Sequence, residues 1–308
     1  MSPSDPTSNG LRPVQPNRWV VGFDGSATAE HALAWATAHA PNRTSNIGIV
    51  TSWQAPLGSP ERSNTMSVTE ANTLVRTAAE TEAQRGVDIA RQALDNHESM
   101  VIESTCSHGS ASAVLLDEAE TASMLVVGNR GRGGFSRLLL GSTSHQCATH
   151  AVAPTVIVRG DESERPSLRT TDRIVVGVDG SKNSLAALNW ALDFAAPGTE
   201  IVVTWVWDVS PLAVGADQFF FPEASDLART SFAALIDEAR PEATASNTIL
   251  IDRFVEGSPR STLLDTAESA DMLVVGARGH GAVGAALLGS VSSWLVHHAD
   301  RTMVVVPS

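Results

Sequence analysis

A chain of 308 residues is long enough for two domains of about 150 residues, each able to bury its own core. Hydrophobic residues at 43% and charged residues at 18% exclude a disordered or fibrous chain. The formal charge of −13, from 21 Lys+Arg against 34 Asp+Glu, opposes binding to nucleic acid or to an anionic membrane surface, so an anionic ligand must be held by local features. Lys182 is the only lysine. Cys106 and Cys147 form no C-x-x-C pair, and no run approaches the ~18 apolar residues needed to cross a bilayer; a reducing, cytoplasmic setting is expected.

Residues 1–17, with Pro3, Pro6, Pro13 and Pro16 among Ser, Thr and Asn, read as a disordered tail without the apolar stretch of a signal peptide. After it the chain is written twice. Val20-Val21-Gly22-Phe23-Asp24-Gly25-Ser26 returns as Val175-Val176-Gly177-Val178-Asp179-Gly180-Ser181, and Met124 to Gly131 returns as Met272 to Gly279 with one change, Ala277 in the place of Asn129. The first offset is longer than the second, which places extra residues in the first copy; the polar stretch Pro56 to Thr69 is the expected location. The acidic, proline-bearing run at 161–172 reads as the linker between a first domain at 18–160 and a second at 173–308.

Short apolar runs alternate with longer periodic segments in each copy, the pattern of a doubly wound α/β domain with a five-stranded parallel sheet. Strands are expected at Trp19 to Phe23, Ile47 to Trp53, Met100 to Thr105, Met124 to Gly128 and Thr155 to Arg159. Their counterparts are Arg173 to Val178, Glu200 to Trp207, Thr248 to Phe254, Met272 to Gly276 and Thr302 to Val306. Helices fall between, at Thr28 to Ala40, about Glu70 to His97, Ala111 to Thr121 and Ser142 to His150, then from Ser184, Asp226, Pro259 and Ser290. Ligands of such folds bind outside the carboxyl ends of the strands.

There, after the fourth strand of each copy, stand Gly128-x2-Gly131-x9-Gly141-Ser142 and Gly276-x2-Gly279-x9-Gly289-Ser290. Glycines at these places are expected to supply positive φ and close approach of amide N–H groups, and the helix beginning at the serine favours an anion. Arg130, Arg132 and Arg137 add charge to the first loop, Arg278 and His280 to the second. Asp24 and Asp179, at the ends of the first strands, have two readings: contact with sugar hydroxyls, or a place in the turn that Ser26 or Ser181 caps.

These motifs resemble the universal stress protein family, over nearly everything from Trp19 to Pro307, and in particular its ATP-binding tandem members. The resemblance implies a Rossmann-like fold of the adenine nucleotide alpha hydrolase type and ATP, with Mg2+, as cofactor. It implies ribose contacts from Asp24 and Asp179, base contacts from Gly22, Gly177, Ser52 and Val206, and a phosphate cradle of Gly128, Gly131, Gly141, Ser142, Gly276, Gly279, Gly289 and Ser290. Val127, Arg132, Thr143, Val275 and Val291, beside the same motifs, complete the implied set. A nucleotide-dependent regulator of stress or dormancy responses is implied; the alternatives are a slow ATPase or phosphotransferase, and a nucleotide-modulated scaffold whose duplicated domains form an internal pseudo-twofold pair and then a homodimer, the apolar run Met303-Val304-Val305-Val306 fitting edge-to-edge pairing.

Other features have plainer readings. His145, Cys147 and His150 diverge on a helix and cannot share a metal ion. His297 and His298 fit a helix end, and Trp53, Trp190, Trp205, Trp207 and Trp294 fit core or interface positions. Phe219-Phe220-Phe221 is open between burial, a partner surface and a lid. With no lysine in either glycine loop and no G-x-x-x-x-G-K-[ST], efficient phosphoryl transfer is not expected.

Overall fold

A computed structural model describes residues 17–41, 43–55, 67–97, 99–132, 140–160, 171–208, 222–279 and 288–307. Residues 1–16 of the proposed tail, most of the linker, Arg137, His280 and Phe219 to Phe221 lie outside the described residues. In chain order the first copy comprises β1 (Arg18–Gly22), α1 (Ala27–His39), β2 (Asn46–Trp53), α2 (Val68–Ala93), β3 (Val101–His108), α3 (Ala111–Ala119), β4 (Met124–Gly128), α4 (Ser142–Thr149) and β5 (Thr155–Val158). The second comprises β6 (Arg173–Val178), α5 (Lys182–Phe194), β7 (Glu200–Trp207), α6 (Pro222–Ala245), β8 (Ile249–Glu256), α7 (Pro259–Ala267), β9 (Met272–Gly276), α8 (Ser290–His298) and β10 (Thr302–Val306).

The strands form one ten-stranded sheet in the order β3-β2-β1-β4-β5-β10-β9-β6-β7-β8. Within each copy every pairing is parallel, as the apolar runs Met-Leu-Val-Val and Ile-Val-Val require when both faces are covered. The copies join where β5 and β10 pair antiparallel, with Met303 opposite Ile157 and Val305 opposite Thr155. The terminal apolar strand therefore meets its counterpart inside the same chain. One face of the sheet is covered by α1, α2, α5 and α6 through Leu33, Ala36, Val87, Leu188 and Phe232. The other is covered by α3, α4, α7 and α8 through Leu115, Cys147, Leu263 and Leu295.

The extra residues of the first copy do not lie in Pro56 to Thr69. The stretch from β2 to α2, residues 54–67, equals in length the stretch from β7 to α6, residues 208–221. The surplus sits in α2, with 26 residues against 24 in α6, in the turn that follows it (94–100 against 246–248), and in the turn before β2 (40–45 against 195–199). Lengthening a helix by part of a turn and adjusting its exit keeps the strand ends in register, so the rim that carries the motifs is unaltered.

The seam between the copies has a dense aromatic face. Trp35 of α1 stacks on Phe194 of α5 at 5.7 Å and 5°, Trp190 on Phe194 at 4.7 Å, and Trp19 on Trp35 at 6.1 Å. The Arg43 guanidinium lies 4.8 Å from the Phe194 ring centre, and its Nε donates to the Phe194 carbonyl at 3.1 Å. His39 is buried among these rings. Its Nδ1–H donates to the Trp35 carbonyl at 2.8 Å, and in the neutral ring Nε2 accepts from the Thr171 hydroxyl at 2.9 Å. On the opposite face the rings of His145 in α4 and His297 in α8 meet at 4.9 Å, while His297 and His298 each donate Nδ1–H to a carbonyl four residues back.

Burial holds the His39 pKa below its ordinary 6.5, against the opposing pull of its bond to Trp35. The unfolded chain therefore takes up this proton first, so the contribution of His39 is intact above about pH 6.5 and is lost as pH falls towards the lowered folded value. Urea midpoints should fall between pH 7.5 and pH 5.5, and the fall should be smaller in His39→Gln.

Candidate functional site

The helix after β1 packs on one face of the sheet and the helix after β4 on the other, so a crevice opens between these adjacent strand ends. The same divergence follows β6 and β9. A cavity of about 570 Å³ occupies the first crevice and one of about 590 Å³ the second, within the ~300–1,000 Å³ usual for small-molecule sites.

Each site residue named from the sequence lines one of these cavities. In the first, β1 contributes Gly22 and the following Asp24, β2 contributes Ser52, and β4 contributes Val127 and Gly128. The loop and α4 add Gly131, Arg132, Gly141, Ser142 and Thr143. In the second, Gly177, Asp179, Val206, Val275 and Gly276 take the matching places, with Gly279, Gly289, Ser290 and Val291.

The reason for glycine differs from position to position. None of the described motif glycines, Gly128, Gly131, Gly141, Gly276, Gly279 and Gly289, has positive φ, contrary to the expectation; among the described glycines that conformation falls instead at positions that include Gly25 and Gly180, in the turns after β1 and β6. A Cβ on Gly128 would lie 2.5 Å from the Thr28 carbonyl oxygen, and one on Gly276 would lie 2.6 Å from the Asn183 carbonyl, so these two let a helix start against a strand end. A Cβ on Gly131 or Gly279 would instead strike the Asp24 or Asp179 carboxylate, at 2.7 and 2.3 Å. Gly22 and Gly177 make room for Leu115 and Leu263, whose methyl groups would stand 3.0 Å from an added Cβ.

At the mouth of the loop, Gly141 is the N-cap of α4 and Gly289 the N-cap of α8, and neither helix has a side-chain cap. The first turns of both helices line the cavities, so their N–H groups and the positive end of the helix dipole face the space. By contrast, Ser26 and Ser181 do cap α1 and α5, accepting from the N–H of Ala29 at 3.2 Å and of Ser184 at 3.3 Å. The uncapped helices are fastened one turn in: Ser144 Oγ donates to the Gly128 carbonyl at 2.6 Å and Ser292 Oγ to the Gly276 carbonyl at 2.7 Å. Arg130 also lines the first cavity, and its Nε is buried without a partner.

Asp24 takes the turn role and a loop role together. Its Oδ1 accepts from the Ser26 N–H at 3.0 Å and hydroxyl at 2.6 Å, and its Oδ2 accepts from the Arg132 N–H at 2.9 Å. Asp179 Oδ1 accepts from the Ser181 N–H at 3.0 Å. Each carboxylate thus holds its turn at the cavity wall. The Arg132 guanidinium is engaged by Glu82 of α2 at 2.6 Å, and Glu82 also accepts from Arg85 at 2.9 Å, which in turn donates to Glu30 at 2.6 Å. Hydrogen bonds from Arg132, then Arg85, hold the Glu82 carboxyl below its usual pKa range. Arg132 is therefore a tether between the loop and α2 as well as a charge at the rim.

The far wall is apolar and was not identified from the sequence. Ala111 and Leu115 of α3 close the first cavity, and Pro259 and Leu263 of α7 close the second. Their spacing of four residues at the start of a helix was legible, but it reads equally as core. Ser144 and Ser292 were also missed, although Gly-Ser-x-Ser stands in both copies. Among the described residues no cluster of His, Cys, Asp and Glu could hold a metal ion, and no helix is long and apolar enough to cross a membrane.

Fold and site together define a tandem doubly wound α/β protein with two strand-end cavities, each pairing an uncapped helix start with an apolar wall. The family model for the universal stress protein family matches residues 17–159 and 170–307. A universal stress protein of Mycolicibacterium smegmatis is 30% identical over 300 residues, covering 93% of this chain and 96% of that protein. One of Mycobacterium tuberculosis is 28% identical over 305 residues, covering 96% and 98%. The crystal structure of a universal stress protein from Archaeoglobus fulgidus superposes with a TM-score of 0.66 at 19% identity, covering 96% of this chain and 97% of that one, a likeness of fold. The chain belongs to the universal stress protein family, in its tandem two-domain form.

Proposed function

We propose that the chain is a regulatory ATP-binding protein of stress or dormancy responses, with one adenine-nucleotide site in each copy. The observation that carries this reading is the polarity of both cavities: an uncapped helix start beside β4 or β9, and an apolar wall two strands away at β2 and α3, or β7 and α7. A polyphosphate suits the first end and a flat base the second. The buried, unpartnered Nε of Arg130 further supports an anion in the first site. Asp24 and Asp179 lie between the two ends, where a ribose would sit. Mg2+ would enter with the phosphates rather than on a protein-built cluster.

Neither loop supplies a lysine, so charge developing on a transferred phosphoryl group has little to stabilise it and bound ATP should persist. Occupancy then acts by shifting conformation or association, homodimers included. Equilibrium binding of radiolabelled ATP to the purified chain should saturate at two per chain, with intact ATP recovered after hours. Absence of binding would end this reading, and rapid release of phosphate would make the protein an ATPase.

A further inference from the structure

The two cavities differ at their base ends. On β7, Thr204 and Val206 point to the face of the sheet that carries Val202, Leu263 and Val275, and both line the second cavity. Thr204 is fully buried, yet its Oγ1 has no hydrogen-bond partner. A buried hydroxyl left unpaired is costly, and native structures rarely keep one without a use. Strand register identifies its counterpart: Gly177 pairs with Thr204, and Gly22 pairs with Val50. Val50 lines the first cavity at the same place, with no polar atom on its side chain.

Thr204 also stands where a base would lie. The uncapped start of α8 follows β9, and β7 is two strands from β9, about 10 Å across the sheet. A ligand anchored by phosphate at α8 extends over β6 and brings its other end between Val206, Leu263 and Thr204. Ser184, where the first site has Ala29, is already engaged: it accepts from the Asp179 N–H at 3.2 Å and donates to the Ser181 carbonyl at 2.9 Å. The first cavity in turn carries Ser52 and Thr143 where the second has Val206 and Val291. Thr204 can both donate and accept.

We propose that the Thr204 hydroxyl hydrogen-bonds a heteroatom on the edge of the purine base in the second site, a contact that Val50, at the matching place of the first site, cannot make. This rests on the nucleotide reading above. The two sites then differ in base selectivity, with the second rejecting a base that leaves the hydroxyl unpaired.

The test is calorimetric titration of full-length wild type, Thr204→Val and Thr204→Ser with ATP, beside thermal unfolding of each without ligand. In Thr204→Val one of two binding steps should weaken about three- to tenfold, the worth of one neutral hydrogen bond, while the other stays unchanged. Thr204→Ser should bind as wild type. Without ligand Thr204→Val should be at least as stable as wild type, because an apolar isostere replaces an unpaired hydroxyl. Should the valine variant fail to fold, Thr204→Ala gives the same binding readout. Two ATP bound by wild type with both steps unchanged in the variants would overturn this inference alone; no ATP bound by wild type would overturn the nucleotide reading beneath it.

Discussion

Replacing Phe194 with alanine should cost about 3–5 kcal/mol of stability. Phe194 is 5% exposed and is the last residue of α5, and the rings of Trp35 and Trp190 both stack on it, with interplanar angles of 5° and 12°. Removing it empties the middle of the stack and takes away the surface beneath the Arg43 guanidinium. The Arg43 bond to the residue's carbonyl is a main-chain contact and survives. Because α1 and α5 belong to different copies, the lost packing is interdomain, and cooperativity should suffer as well as stability. Urea unfolding followed by tryptophan fluorescence should change from one transition to two, with the lower midpoint well below that of wild type. A loss under about 1 kcal/mol with one transition retained would show that β5 and β10 alone hold the copies together.

Valine at Gly128 should disable the first site and valine at Gly276 the second, by displacing the helix start packed against each. The added Cβ at Gly128 meets the Thr28 carbonyl oxygen and carbon, at 2.5 and 2.7 Å, and these are backbone atoms that move only if α1 moves. Gly131 is more tolerant in this respect, because its Cβ would meet a carboxylate tip that can turn away. Overpacking of this kind costs about 1–3 kcal/mol, at the upper end here because the obstacle is main chain. Displacing α1 also pulls on the bond from Thr28 Oγ1 to the Arg130 carbonyl at 2.5 Å, and so on the loop itself. ATP stoichiometry should fall from two to one in either variant. Cys147 of α4 gives a local probe: burial pushes its thiol up to about 12, so in wild type it should resist alkylation at neutral pH. In Gly128→Val it should label faster, and in Gly276→Val it should not.

Most strands were readable as short apolar runs bounded by polar or turn residues, and β4, β6, β7, β9 and β10 have the bounds expected of them; the edge strands β3 and β8 mix polar and charged residues into the run and extend past the ends expected, to His108 and Glu256. The start of α6 was placed four residues late. Pro222 suits the first turn of a helix, but it reads as the end of the preceding aromatic loop. The seam was only half legible: Thr-Met-Val-Val-Val announces a strand with a partner, whereas the partner's identity depends on how the two copies meet in space. Glycine spacing marked the loops and could not distinguish their roles, since a missing Cβ has meaning only against the neighbour it would strike. Leu115 and Leu263 escaped notice for a related reason, because an apolar residue facing a cavity looks in sequence like one facing a core. Thr204 sits inside an otherwise apolar strand, and that lone hydroxyl was the available signal.

The antiparallel junction of β5 with β10 makes partners of two segments encoded separately. In an assembly of identical chains, any substitution on one side of the axis recurs on the other, and both crevices must drift together. Covalent fusion lifts that obligation. Val50 in the place that Thr204 takes in the second copy, and Ala29 in that of Ser184, are the visible outcome: a scaffold with approximate symmetry in its main chain and freedom to specialise each half.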